Sequence, residues 1–143
     1  MPIAAANLPP GVALVPFSHA LAPACRTLLN SAYANGLGDV VPFDQWWAAL
    51  SGDSEYDPTL CFVASAGAQI IGFCQCWTSS FVKDIAIDRA WHRRGVATAL
   101  LTAAMREFER RGASSIDLKT DVENVAAQAA YQRLGFTIVE RIG

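Results

Sequence analysis

Only two histidines, His19 and His92, occur in the 143 residues, and neither stands at metal-ligand spacing to a cysteine. Zinc sites depend on such spacings, so no metal is expected. Cys25, Cys61, Cys74 and Cys76 do not read as a disulfide framework either. Three of them lie in strand-like apolar surroundings, and Cys74 and Cys76 would face the same side of one strand, as buried free thiols. No apolar run reaches the ~20 residues needed to cross a bilayer. The opening MPIAAANLPPG lacks a basic n-region and holds prolines where a signal peptide wants its apolar core. A soluble, cytoplasmic protein with no membrane partner is therefore expected. No Gly-Lys-Ser/Thr follows a glycine-rich loop and no three-glycine turn exists, which excludes a nucleotide P-loop and a dinucleotide fingerprint. Repeats and low-complexity segments are missing. So is any basic face interleaved with aromatics, which disfavours nucleic acid as a partner.

Basic residues are scarce in the front half. Residues 1–80 hold one, Arg26, against the five acids Asp39, Asp44, Asp53, Glu55 and Asp57, whereas residues 81–143 hold ten against eight. The imbalance suggests an anionic ligand for the back half and permits a cationic partner near the front. A content of 52% hydrophobic and 17% charged residues fits a packed core and not a disordered chain. The length leaves room for one domain, residues 1–143, around one core.

The chain is organised around residues 81–101, FVKDIAIDRAWHRRGVATALL. Residues 81–87 have the β-branched, apolar character of a strand, and residues 88–90 turn the chain. From Gly95 the period changes: Val96, Leu100, Ala104 and Phe108 share one helical face, with Leu101 and Met105 beside it. A helix start has N–H groups without intrahelical partners and partial positive charge from the dipole. Gly95 lets a ligand approach the backbone, and Ala97 keeps the next turn uncrowded. Residues 93–98 thus propose a phosphate or pyrophosphate cradle, although an ordinary helix start flanked by solvated Arg93 and Arg94 gives the same pattern.

Taken in order, residues 12–17 read as a strand, and Ser18 as the cap of a helix over 19–34. Pro42 starts a second helix with Phe43, Trp46, Trp47 and Leu50 at helical spacing; both tryptophans cannot face inward. Residues 52–58 form an acidic loop. Residues 60–65 and 69–78 are strands of a hairpin, followed by the strand and helix just described, with Gly112 as a stop. A strand over 115–120, a helix capped by Asn124 and a strand over 136–141 complete an α/β (α+β) order. It implies a mixed sheet flanked by helices on both faces.

Two segments carry a resemblance to the GNAT superfamily of acyl-CoA-dependent N-acetyltransferases. IAIDRAWHRRGVATALL looks like the family's Gln/Arg-x-x-Gly-x-Gly/Ala motif, matched by Gly95 and Ala97, with His92 where the family prefers Gln or Arg. NVAAQAAYQRLGF supplies Asn124, Ala127, Tyr131, Gly135 and Phe136 of the family's Asn-x-x-Ala-x-x-x-Tyr-x-x-x-Gly-Phe. The resemblance implies the acyl-CoA N-acyltransferase fold, with a splayed central sheet, and acetyl transfer from acetyl-CoA to a primary amine on a small molecule or peptide. It also implies that the backbone of Ile85, Ala86 and Ile87 is free to bind the pantetheine arm as an added strand. His92, Arg93, Arg94, Gly95, Val96, Ala97 and Thr98 would hold the diphosphate, and Asn124 would touch the cofactor while capping its helix.

By the same resemblance Tyr131 would protonate the departing thiolate; its apolar neighbours Ala127, Ala130 and Leu134 suit a core aromatic equally well. The glutamate that some relatives use as base is replaced by Lys119. Asp84 is the candidate base, and a solvated or capping carboxylate is the alternative. His19 and His92 are weaker bases, and Cys74 or Cys76 would need an activating neighbour to carry an acyl group. The acidic front favours a cationic acceptor, with Trp46, Trp47 or Trp77 as an aromatic wall. A homodimer is permitted. Two other functions stay open: a non-catalytic acyl-CoA-binding module, and transfer of a larger acyl group.

Overall fold

The computed structural model describes residues 8–34, 40–113, 115–119 and 137–141, the last two stretches by their backbone. Six strands, β1 (Val12–Pro16), β2 (Cys61–Ala66), β3 (Gln69–Trp77), β4 (Phe81–Ile87), β5 (Ser115–Lys119) and β6 (Thr137–Arg141), lie in chain order across one sheet. The pairs from β1 to β4 are antiparallel; β4–β5 and β5–β6 are parallel. Gly67, at φ +60°, makes the tight β2–β3 turn, a backbone conformation that costs a side-chain-bearing residue energy. The expected last helix lies outside the described residues.

Helix α1 spans Ala22–Tyr33, α2 Phe43–Ser51 and α3 Val96–Arg110. The first helix begins later than Ser18 suggests. Ser18 makes no side-chain cap, residues 19–21 form a 3-10 turn, and the α-helix starts where Pro23 falls in its first turn. Proline fits there because its missing N–H would have had no helical partner. Pro42 caps α2 from outside the helix, as its fixed φ allows.

Strand β3 is buried from Ile71 to Cys76, with residues facing both layers, which is what a central strand covered on both faces requires. One layer is α1 and α2, packed through Cys25, Leu29, Trp46 and Leu50 on Val63, Phe73 and Ala86. The other is α3. Its Val96, Leu100, Leu101, Ala104, Met105 and Phe108 are all buried against Leu60, Ala64, Ile71, Cys74 and Val82. Each large side chain so buried contributes about 1.5–3 kcal/mol, so this face outweighs any surface contact the helix makes.

Gly72 sets how closely α3 sits. A Cβ there would lie 3.0 Å from Leu100 Cδ1, 3.1 Å from Val96 Cγ1 and 3.3 Å from Ala64 Cβ. Because Gly72 also pairs with Ile87, the first turn of α3 is seated over the end of β4.

At its other end α3 is tied by charge. Arg111 donates to Glu107 at 2.7 Å, to Asp57 at 3.1 Å and to Thr59 at 2.9 Å, and Arg110 also donates to Glu107. Hydrogen bonds from Arg110 and then Arg111 bring the Glu107 carboxyl down to about 2. Its stabilising effect is therefore complete above the ordinary glutamate range and fades as pH falls from about 4.5 toward 2. Glu107→Gln is expected to lower Tm at pH 6 by roughly 1–4 °C, a gap that closes across that acid window in parallel melts. Gly72→Ala is expected to cost about 1–3 kcal/mol at any pH, read by denaturant unfolding.

Candidate functional site

The segment between β4 and α3 is shaped by backbone, not by side-chain caps. Asp88 accepts from Ala90 N–H at 2.9 Å and closes a 3-10 turn over Arg89–Trp91. His92 is extended at φ −63°, ψ 147°, Arg93 is left-handed at φ +62°, and Gly95 is left-handed at φ +85°, ψ 4°. Left-handed residues on either side of Arg94 turn the backbone sharply, the kind of conformation in which successive N–H groups make a nest suited to an anion. Arg93 is one of two non-glycine residues held at positive φ among those described, a strain of the kind that gathers at functional sites. Helix α3 follows with no side-chain N-cap and no acid in its first turn. Val96 is buried beneath it, Ala97 and Thr98 are half-buried, and Arg93 and Arg94 are exposed. The Arg94 guanidinium lies 5.1 Å from the centre of the Trp91 ring, a cation–π contact that holds it beside the nest. Residues 93–98 therefore fit a diphosphate: N–H donors, two cations and no competing carboxylate.

Beside the nest runs the side of β4 that faces away from β3. The described ladder between β4 and β5 consists of Phe81↔Asp117 and Val82↔Leu118, and residues 120–136 lie outside the described residues, so among those described β4 has no β5 partner beyond Val82. Asp88 N–H donates to Ile71 O at 2.8 Å. In an antiparallel ladder this makes Gly72↔Ile87 a non-hydrogen-bonded pair and Phe73↔Ala86 the bonded one. The N–H and C=O groups of Ile85 and Ile87 accordingly point away from β3. Those of Ala86 face β3, a correction to the expectation that all three residues offer free backbone. The period of two allows alternate residues only.

His92 enters here through its ring. Its Nε2 lies 2.9 Å from Ile87 O, and since a carbonyl can only accept, Nε2 carries the proton. His19, by contrast, is exposed and stacks on Trp47 with ring centres 4.8 Å apart, an arrangement without a catalytic partner among the described residues.

Asp84 lies on the opposite face of β4. Lys83 is an extra residue in the β3–β4 ladder, between Gln75↔Asp84 and Cys76↔Val82. The bulge lets Val82 turn toward α3 while Asp84, two residues on, faces α1 and α2 with Ala86. Asp84 is 8% exposed and 3.6 Å from Lys83 Nζ, so it is not a solvated carboxylate. Around this face lie buried polar groups that sequence reasoning did not single out. Gln75 is Asp84's cross-strand neighbour, and Arg26 bonds Asn30 at 2.9 Å with its guanidinium 5.5 Å from the Trp46 ring centre. A glutamine inside an apolar strand and a lone arginine inside α1 were the available signals.

The front acids prove busy. Asp53 accepts from Glu55 N–H, Glu55 from Ser79 N–H, and Asp57 from Thr59 and Arg111. The bonds from Thr59, ahead of those from Arg111, draw the Asp57 carboxyl below its usual range. These carboxylates hold the loop. Trp46 is buried and Trp47 and Trp77 half-buried, all three in the core layer under α1 and α2. The four cysteines are free and buried. Burial pushes Cys25 up to about 12 and Cys61 and Cys76 up as well, which keeps these thiols protonated and poor nucleophiles. Cys74 and Cys76 do share a face, their sulfurs 3.8 Å apart. Among the described residues no group of His, Cys, Asp and Glu could hold a metal, and no helix is long and apolar enough to cross a membrane. Tyr131 and Asn124 lie outside the described residues.

Gly95→Val places a β-branched residue at φ +85° and is expected to abolish binding of coenzyme A in calorimetry, with the circular-dichroism spectrum retained.

Residues 22–136 match the acetyltransferase (GNAT) family. N-alpha-acetyltransferase 30 of Schizosaccharomyces pombe is 32% identical over 93 residues, 59% of this chain and 62% of that protein. The corresponding shares of the Xenopus laevis and Arabidopsis thaliana relatives are 34% and 48%, so the match spans under two thirds of these curated proteins. Among solved structures, a GCN5-related N-acetyltransferase from Sphaerobacter thermophilus superposes with a TM-score of 0.74 at 21% identity, over 94% of this chain and 44% of that one. The ribosomal-protein-S18-alanine N-acetyltransferase from Escherichia coli gives 0.68 at 21% identity, over 88% and 77%. The parted, mixed sheet with helices on both faces is the fold these proteins share. With an uncapped helix start after the end of β4 and a family match from residue 22 to residue 136, the chain belongs to the GNAT family of acetyltransferases.

Proposed function

We propose that this protein transfers the acetyl group of acetyl-CoA directly to a primary amine. The observation that carries the reading is the juxtaposition of an anion nest at Arg93–Gly95 with a β4 edge bare of strand partners, in the described residues, beyond Val82. Arg93 to Thr98 would hold the diphosphate and Asn124 would add a contact. The edge groups of Ile85 and Ile87 would receive the arm by strand addition. Bound there, acetyl-CoA supplies its acetyl group as an activated thioester, and an N–H of β4 would polarise the carbonyl.

Asp84 would take the proton from the acceptor ammonium, directly or through water, and leave a nucleophilic amine. It sits about 10 Å back along the strand from Ile87, on the face of α1 and α2, so acceptor and donor would approach β4 from opposite sides. Tyr131 would hand its phenolic proton to the leaving sulfur. The raised pKa values of Cys25, Cys61 and Cys76 support direct transfer over an acyl-cysteine route. Free buried thiols also suit a cytoplasmic setting.

For the acceptor we favour a peptide α-amine over a small molecule. N-alpha-acetyltransferase 30 is a relative by sequence, and the solved alanine N-acetyltransferase shares the fold. Acetyl transfer to a panel of short peptides and free amines, read by mass shift, tests this. Acetylated peptide with thiol release is the expected result, whereas coenzyme A binding without turnover on any amine would mark a binding module. Tyr131→Phe is expected to lower kcat about 10²- to 10⁴-fold with the Kd for coenzyme A unchanged.

A further inference from the structure

The hydrogen bond from His92 to Ile87 joins two halves of the site that the sequence treats separately. Ile87 is the last residue of β4, and its carbonyl belongs to the edge that faces away from β3. His92 immediately precedes Arg93, whose φ of +62° opens the nest. Between them the chain is already tightened by Asp88, which accepts from Ala90 N–H, and by Trp91 N–H, which donates to Asp88 O at 2.8 Å. The imidazole closes this segment into a ring anchored on the strand, so the nest is held at one distance from the edge.

We infer that His92 is a positioning residue that keeps the diphosphate nest in register with the β4 edge, so that coenzyme A can engage both at once. The inference rests on the acetyl-CoA reading above. It also fixes which edge groups the arm meets: with Ile87 O taken by the imidazole, Ile85 N–H, Ile85 O and Ile87 N–H are left to pair with it. A bifunctional ligand gains affinity from its second contact only when the spacing of the two sites is right, whereas a ligand that touches one site is indifferent to spacing.

That difference gives the test. Calorimetry would compare coenzyme A, which has diphosphate and arm, with 3′-phospho-ADP, which has the diphosphate alone, on wild type, His92→Leu, His92→Ala and His92→Gln. One exposed hydrogen bond sets the scale. The leucine and alanine variants should bind coenzyme A about three- to tenfold more weakly, and 3′-phospho-ADP within about twofold of wild type. Glutamine, which can again donate to the carbonyl, should restore coenzyme A binding to within about twofold. Equal losses on both ligands would mean that His92 merely keeps the nest folded, and no loss would mean that the bond is idle; either overturns the assignment. So does a wild type that binds coenzyme A but not 3′-phospho-ADP. A wild type that binds neither ligand overturns the acetyl-CoA reading itself.

Discussion

Helix α3 rests on the sheet through six buried side chains, and the one β3 residue without a Cβ lets its first turn come close. Val96 and Leu100 fill the space over Gly72. Since Gly72 pairs with Ile87, the height of the helix, the end of β4 and the turn between them form a single mechanical unit. The apolar contact comes first in energy: a handful of buried Leu, Met and Phe side chains outweigh the exposed ion pairs at Arg110 and Arg111 several-fold. What it buys is the position of a few N–H groups that make no contribution to the core.

The second constraint is the bulge at Lys83. A strand of strict period two would send Val82, Asp84 and Ala86 to the same face. One extra residue lets Val82 join the α3 layer while Asp84 and Ala86 stay under α1 and α2. An apolar residue and a carboxylate two positions apart thus serve opposite sides of the sheet. The described pairing with β5 ends at the same place, at Val82. Bulge and parting together turn the middle of β4 into a wall with a nest at one end and a buried carboxylate on its back.

Much of this was legible in the residues. Strand β4 falls at Phe81–Ile87 as its β-branched run proposes, and every residue named for the buried face of α3 is buried, because a long amphipathic repeat is hard to satisfy in another way. The late start of α1 was a matter of local competition, in which Pro23 settled the first turn and Ser18 capped nothing. The orientation of the Ala86 backbone was beyond a sequence reading, since it depends on ladder register and not on composition. The same holds for Asp84: a carboxylate beside a lysine in a strand reads as exposed until the bulge turns it inward. The roles of the front acids were hidden for a related reason. Net charge counts carboxylates without asking which N–H groups they already serve, and Asp53, Glu55 and Asp57 serve their own chain.

The departures from the family pattern then fall into one scheme. A glutamine or arginine at position 92 and a glutamate at position 119 are what the resemblance leads one to expect; histidine and lysine stand there instead. Neither replacement touches the backbone that forms the nest, which depends on Arg93 and Gly95 adopting left-handed φ and on an uncapped helix. Histidine retains a donor, and it is directed at a carbonyl of the chain itself. The lysine removes a base from β5, while a carboxylate on β4 lies buried a few residues from the parted edge. A cradle made of backbone tolerates side-chain exchange, so the same local shape can persist while the charged side chains around it change. On the α1 and α2 side the chain buries Arg26, Gln75 and Asp84, polar groups that the two motifs do not encode.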